Sequence, residues 1–324
     1  MAHAIRIHQS GGPEVMQWEE FTPGDPGPGQ ARVRQSAVGL NYIDTYHRSG
    51  LYKLPMPTGL GSEAAGVVEA VGPGVTEIKS GDRVAYSGGA PGAYAEVRVM
   101  PVDRLVKLPD GVSDRTAATL MLKGLTTQYL LRQTYQVKSG ETILFHAAAG
   151  GVGLIACQWA RALGVTMIGT VGSDEKAKIA KENGCTHTIV YTREDYVARV
   201  KELTNGKGVP VVYDGVGKAM FPSSLDCLSP RGLYVNFGNA SGPVPPLDML
   251  MLSAKGSLYV TRPTLVTYTS TRPALLAMAD EMFGLVKSGK IVNDARQTYA
   301  LKDAAQAHRD LEARKTTGST LLIP

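Results

Sequence analysis

The run AAAGGVG, Ala147 to Gly153, stands between a strand-like ETILFH (Glu141 to His146) and a helix-like LIACQWARALG (Leu154 to Gly164). No other feature restricts the fold of this 324-residue chain as much. Glycines at a strand-to-helix turn let the backbone approach a pyrophosphate and leave the helix N-terminus facing it. Ala148, Gly150 and Gly153 keep the G-x-G-x-x-G spacing, with alanine in the first slot. That spacing also suits a tight packing turn, so its weight comes from what surrounds it.

The surroundings alternate strand and helix from about Leu125: ETILFHA, a helix, VTMIGTV, SDEKAKIAKENG, HTIVY, EDYVARVKELTNG, VPVVYDGV, SLDCLSPRG, LYVNFG and SLYV. This order predicts a doubly wound parallel sheet with crossover helices, a Rossmann domain, with SLDCLSPRG as one of the crossovers. Residues 1 to about 120 read differently, as short β-like runs separated by turns (ARVRQSAVGL, GVVEAVGPGV, DRVAYS, YAEVRVMP). PGDPGPGQ, Pro23 to Gln30, comes too early to divide domains and reads as a rigid turn. Beyond about Arg262 follow a long helix (Ala274 to Ser288), a short helical stretch (Asp303 to Arg314) and a closing strand, STLLIP. A helix and a lone strand cannot build a core of their own, so this tail is expected to return to the first lobe. The expected division is 1–124 and 263–324 for the β-rich domain, and 125–262 for the Rossmann domain.

Composition narrows the function classes. The apolar share of 43% and charged share of 19% suit a folded globular chain. A net charge of +5 is spread without a basic run, which disfavours nucleic acid as a partner. The opening MAHAIRIHQSGGPEV lacks the charged-then-apolar order of a signal peptide, and no stretch of roughly 18 apolar residues occurs. A cytoplasmic protein with no membrane partner is expected. Cys157, Cys185 and Cys227 form no C-x-x-C pair and leave an odd count, which fits reduced thiols rather than a disulfide framework.

The choice of nicotinamide cofactor turns on the end of the second strand. An NAD site places an acid there for the ribose 2′-OH. Here the strand ends on Val171-Gly172-Ser173, and Lys176 lies one turn into the next helix. This favours NADP, whose 2′-phosphate a carboxylate would repel. Two other readings stay open: Ser173 as a plain helix cap with a solvated Lys176, and Asp174 as an NAD-type acid displaced by a few residues.

The run G-E-x-x-L-x-x-x-A-A-G-G-x-G-x-x-x-x-Q-x-x-R, Gly140 to Arg161, resembles the signature of the quinone oxidoreductase/zeta-crystallin family of medium-chain dehydrogenase/reductases. VGLNYIDTYHRSGLY, GLGSEAAGVVEAVGPGV, GDRVAY, VVYDGVG, NFGNASG, SLYVTRP and STLLIP stand in that family's order, so the resemblance covers essentially the whole chain. It implies a GroES-like β-rich catalytic domain around the Rossmann domain, with NADPH bound between them. Where zinc-dependent members of the superfamily place a Cys ligand and a G-H-E motif, this chain has Asn41 and Gly61-Ser62-Glu63, and the four-Cys structural-zinc lobe is missing. Zinc needs three or four protein ligands, and the six histidines and three cysteines show no such spacing, so no metal is expected.

The resemblance further implies which residues meet the ligands. Asn41, Tyr46 and Tyr52 would line the catalytic cleft, the two phenols as hydrogen-bond donors and Asn41 as a third polar group. Thr127 would lie near the nicotinamide ribose, although a Thr in a helix's first turn has the same sequence signal. Ala148, Gly150, Gly151, Val152 and Gly153 would cradle the pyrophosphate. Ser173 and Lys176 would hold the 2′-phosphate, Tyr191 and Arg314 would close over the adenosine, and Phe237, Gly238 and Asn239 would form the loop beside the nicotinamide.

The implied activity is zinc-independent, NADPH-dependent reduction of small quinones, by hydride or by single electrons. A quinone already accepts electrons readily, so it needs no Lewis acid. The enzymatic alternative is reduction of activated alkenes such as enones and 2-alkenals. A role outside catalysis, RNA binding as in some zeta-crystallin relatives, is disfavoured by the charge pattern. A homodimer is implied as well, paired through the edge strand Ser257 to Thr261.

Overall fold

A computed structural model describes residues 1–324. The chain separates into two compact units, Met1–Leu125 with Tyr268–Pro324, and Thr126–Thr267.

The second unit is built on six parallel strands. From edge to edge they are His187–Val190, Thr166–Val171, Thr142–Phe145, Val209–Asp214, Leu228–Asn236 and Tyr259–Thr261. In order of appearance this is 3-2-1-4-5-6, the Rossmann order. The inner strands Thr142–Phe145, Thr166–Val171 and Val209–Asp214 are largely apolar and buried, as strands covered on both faces are. Leu144, Ile168, Ile189, Val212 and Tyr234 belong to one buried cluster. Strand order reverses around Thr142–Phe145, the switch point at whose carboxyl end open α/β sheets generally take their ligands, and AAAGGVG begins there.

Two details differ from the sequence reading. SLDCLSPRG is no crossover helix: a short 3-10 turn covers Ser223–Cys227, and Leu228 already starts the next strand. Pro230 cannot donate to a helical turn, and Arg231 takes a left-handed φ of 62°, which ends any helix there. The last strand is also shorter than expected, Tyr259–Thr261, because Ser257 sits at φ 57° in the turn that precedes it.

The first unit holds a seven-stranded, mostly antiparallel sheet. Its path runs Ala295–Ala300, Ser319–Ile323, Gln30–Leu40, Glu63–Val71, Arg83–Ser87 and Val106–Lys107, while Val97–Pro101 also pairs with Gln30–Leu40. A second sheet joins Gln17–Phe21, Ala2–Ile7 and Thr58–Gly59. The strand Gln30–Leu40 shows the period-2 burial of a half-covered surface, with Ala31 and Val33 inside and Arg34 out. The closing strand Ser319–Ile323 lies directly against it. The long helix runs Arg272–Lys287, starting where the Thr271 side chain caps Ala274 N at 3.4 Å. No helix is long and apolar enough to cross a membrane.

Candidate active site

The turn Ala147–Gly153 is shaped from within the second unit. Ala148 N donates to Thr170 O on the neighbouring strand at 3.0 Å, and Gly150 N closes back on Ala147 O at 2.9 Å. A Cβ on Gly153 would stand 2.6 Å from Ala148 O, so only glycine fits where the helix Gly151–Ala162 leaves the strand. The alanine in the first slot of the motif has its own compensation. A Cβ on Gly169 would lie 2.5 Å from the Ala148 methyl, so the space usually left by the first glycine is supplied by the adjacent strand. Gly150 is the N-cap residue, and no side chain caps the first turn formed by Gly151, Val152 and Gly153. A helix start with unmet N–H groups is an anion site in waiting, and the pyrophosphate of a dinucleotide fits it.

His146, the last residue before the turn, is fully buried and structural. Ser224 donates its hydroxyl to Met220 O at 2.8 Å, so it accepts from His146 Nε2 at 2.8 Å, and Nδ1 then accepts from Thr170 at 2.9 Å. Burial holds this imidazole neutral by lowering its pKa.

Ser173, Lys176 and Tyr191 gather at the ends of the second and third strands. Ser173 caps the helix Asp174–Glu182 by accepting from Lys176 N at 3.3 Å. Tyr191 N bonds to Val171 O at 3.1 Å, and a Cβ on Gly172 would touch the Tyr191 phenol oxygen at 3.1 Å. Asp174 lies at this rim too, and its carboxylate is forked by Arg193 at 2.6 and 2.5 Å. The loop Phe237-Gly238-Asn239 follows the fifth strand. Phe237 N donates to Asp214 O at 2.8 Å, its ring lies 5.6 Å from that of Phe145, and Asn236 Nδ2 ties down Gly238 O at 3.0 Å. Thr127 is fully buried in the last turn of the helix Asp114–Tyr129. The first-turn explanation for this threonine therefore does not apply.

Asn41, Tyr46, Tyr52 and Arg314 belong to the first unit. Asn41 starts the helix Tyr42–Ser49, and Gly50 ends it at φ 80°. Tyr46 is 7% exposed, its ring 5.2 Å from Tyr52 and 5.6 Å from Tyr42. Three phenols therefore cluster where two were expected, the third being Tyr42, one helical turn from Tyr46. Burial and then the nearby Glu312 carboxylate raise the Tyr42 pKa, while Arg314 and Arg48 oppose them. Arg314 itself follows the helix Ala304–Glu312 in a left-handed conformation, φ 59°.

Asn41 is held more tightly than the sequence suggests. Its Nδ2 donates to Glu63 Oε1 at 2.9 Å and to Gly39 O at 3.3 Å. A carboxylate only accepts, which fixes the amide nitrogen on that side, and Asn41 Oδ1 is left buried without a partner. Asn41 can thus offer an acceptor, not a donor. Glu63 also takes the Lys123 ammonium at 2.5 Å and Leu122 N at 2.6 Å, with both ionic side chains buried. Behind them, the Asp44 carboxylate accepts from Asn41 N (2.9 Å), Ser62 (2.6 Å) and Tyr94 (2.9 Å). His308 Nε2 meets Tyr94 at 3.0 Å, and Arg48 occupies His308 Nδ1 at 2.9 Å before reaching Glu312 at 2.7 Å. Arginine only donates, so His308 carries its proton on Nε2, and every hydrogen of this chain has a fixed direction.

A zinc ion does not fit this arrangement. No three His, Cys, Asp or Glu side chains are grouped to hold a metal. The one carboxylate at the position of interest, Glu63, already carries a cation, Lys123.

Comparison with known proteins places these features in a lineage. Residues 27–110 match the alcohol dehydrogenase GroES-like domain and residues 151–281 the zinc-binding dehydrogenase domain. A quinone oxidoreductase from Pseudomonas aeruginosa is 59% identical over the full length of both chains. The chain belongs to the quinone oxidoreductase family of medium-chain dehydrogenase/reductases. Within that family, the crystal structure of the Escherichia coli quinone oxidoreductase complexed with NADPH is 54% identical, covers 99% of this chain and 100% of its own, and superposes with a TM-score of 0.98. A 2-haloacrylate reductase from a Burkholderia species is 46% identical, covering 100% of this chain and 99% of its own. Membership in the quinone oxidoreductases thus coexists with a match to a zinc-binding dehydrogenase domain in a chain where no three His, Cys, Asp or Glu side chains are grouped to hold a metal.

Proposed function

We propose that this protein uses NADPH to reduce small quinones without a metal ion. The observation that carries the reading is the rim of the parallel sheet: an uncapped glycine turn for the pyrophosphate, and beside it Ser173 and Lys176, with the Asp174 carboxylate already paired to Arg193. NADPH, when bound, supplies the reducing equivalents from C4 of its dihydronicotinamide. The chain's own groups do the remainder. Gly151, Val152 and Gly153 bind through backbone N–H groups; Ser173, Lys176, Tyr191 and Arg314 hold the phosphorylated adenosine; the Phe237–Asn239 loop and Thr127 orient the nicotinamide. Tyr46 and Tyr52 donate to the negative charge that grows on the acceptor oxygen, the kind of aimed donor that stabilises such charge most. Asn41 presents Oδ1 as an acceptor beside them.

Oxidation of NADPH and of NADH by 1,4-benzoquinone, each with and without a chelator, tests this. Turnover that is insensitive to chelator and strongly prefers NADPH is expected. Absence of NADPH-dependent turnover with any small quinone would overturn it. The similarity to the 2-haloacrylate reductase favours a second reading, reduction of activated alkenes. Faster turnover of 2-alkenals than of quinones would put that reading first.

A homodimer and a cytoplasmic location complete the proposal. The strand Tyr259–Thr261 ends the parallel sheet with Tyr259 57% and Val260 39% exposed, an apolar edge suited to pairing with a second copy. Three buried free thiols suit a reducing compartment.

A further inference from the structure

The ion pair Arg193–Asp174 stands at an unusual place. It is a two-point fork, Nη1 to Oδ2 at 2.6 Å and Nη2 to Oδ1 at 2.5 Å, with side chains 56% and 74% exposed. Pairs this exposed contribute little to folding, so stability does not account for it. Its position does. Asp174 is the first residue of the helix capped by Ser173, and Arg193 follows Tyr191 by two residues in the turn after the third strand. The pair therefore bridges the ends of the second and third strands on the rim that carries Ser173, Lys176 and Tyr191. The other acid of that turn, Glu194, is engaged elsewhere: it accepts from Val190 N at 2.7 Å and faces Arg199 at 3.5 Å.

A carboxylate just past the second strand is what an NAD site uses, and it opposes a 2′-phosphate of nearly two negative charges. We propose that Arg193 is a cofactor-selectivity residue: by neutralising Asp174 it turns a helix start bearing an NAD-type acid into one that accepts the 2′-phosphate of NADPH. This rests on the placement of that phosphate at Ser173 and Lys176. The guanidinium also holds the Asp174 carboxyl below the usual carboxylate range, as a close cation must. The residue acts through Asp174, so its effect must vanish when the acid is removed.

Calorimetric binding of 2′,5′-ADP, with 5′-ADP as the probe lacking the 2′-phosphate, reads this without turnover. Arg193→Gln is expected to weaken 2′,5′-ADP roughly 3- to 30-fold, the range that an uncovered charge a few ångströms away produces. Binding of 5′-ADP should change less than about twofold, and the loss should shrink as salt rises. Adding Asp174→Asn should restore 2′,5′-ADP binding to within about threefold of the parent protein. An Arg193→Gln protein that binds 2′,5′-ADP normally, while Lys176→Ala binds it poorly, would overturn the proposal and leave the phosphate placement standing. Failure of Asp174→Asn to restore binding would also overturn it, since Arg193 would then act on the phosphate itself. If Lys176→Ala binds 2′,5′-ADP as the parent does, the phosphate placement is wrong and the proposal falls with it.

Discussion

Lys123 and Glu63 are the residues whose importance is hardest to see in the sequence and easiest to see in the structure. They are 60 positions apart, both buried, and joined at 2.5 Å. Removing one member of such a pair strands a charge in a low-dielectric interior, which costs about 3–5 kcal/mol, whereas removing both charges is often neutral. Lys123→Met is therefore expected to lower unfolding stability by about that amount in a urea titration, and Lys123→Met with Glu63→Gln to recover most of it. A single variant as stable as the parent would show the pair to be solvated. Local pattern points to part of the proposed site: the glycine spacing singles out Gly150 and Gly153, and Gly61-Ser62-Glu63 stands where the resemblance implies a G-H-E motif in zinc-dependent relatives. Lys123 lay hidden because a lysine in an apolar helix declares burial without naming its partner. Asn41 stands out in the sequence only through the resemblance, and its hydrogen-bond direction depends on Glu63, which no spacing rule supplies.

At the scale of elements, the helix Tyr42–Ser49 is the piece whose stability is tied to pH. Asp44, in its first turn, is buried; desolvation raises its carboxyl to about 6, against the pull of Ser62, Asn41 N, Tyr94 and Lys123. His308 is held the other way, lowered to about 3 by burial and by Arg48. As pH falls below 6.5, the unfolded chain takes a proton that folded His308 refuses, so stability is lost progressively down to about 3. As pH falls through about 6, folded Asp44 takes a proton before the unfolded chain does, so stability is gained down to 3.8. Each slope approaches about 1.4 kcal/mol per pH unit, and the two oppose each other between roughly pH 4 and 6. Asp44→Asn should therefore make acid destabilisation steeper over that window, and His308→Gln should flatten or reverse it, measured as thermal midpoints from pH 6.5 to 4. Parallel curves for both variants and the parent would remove the assignment. The strands and helices that frame this network were largely legible, because apolar period and turn residues act locally. SLDCLSPRG was misread for the same reason: its composition suits a helix until Pro230 and the left-handed Arg231 are weighed together.

For the whole molecule, the alternation of strand and helix was enough to anticipate a parallel sheet, since each crossover forces its strands to run the same way. What alternation cannot show is which strand is left at the edge and what it exposes. Tyr259–Thr261 pairs with Leu228–Asn236 on one side only, and the side chains of Tyr259 and Val260 are exposed. Unpaired backbone groups beside exposed apolar side chains invite another strand, and in a closed symmetric pair the natural partner is the same strand of a second copy. Light scattering should then give about twice the 34.4 kDa chain mass at micromolar concentration. Val260→Pro puts a residue without an N–H in the edge strand and should shift the protein toward the monomer without loss of secondary structure, because an edge strand tolerates proline better than a central one. A parent protein that scatters as a monomer would remove the dimer. A dimer that survives both Val260→Pro and Tyr259→Lys would move the interface away from this edge while leaving the fold and its nucleotide rim untouched.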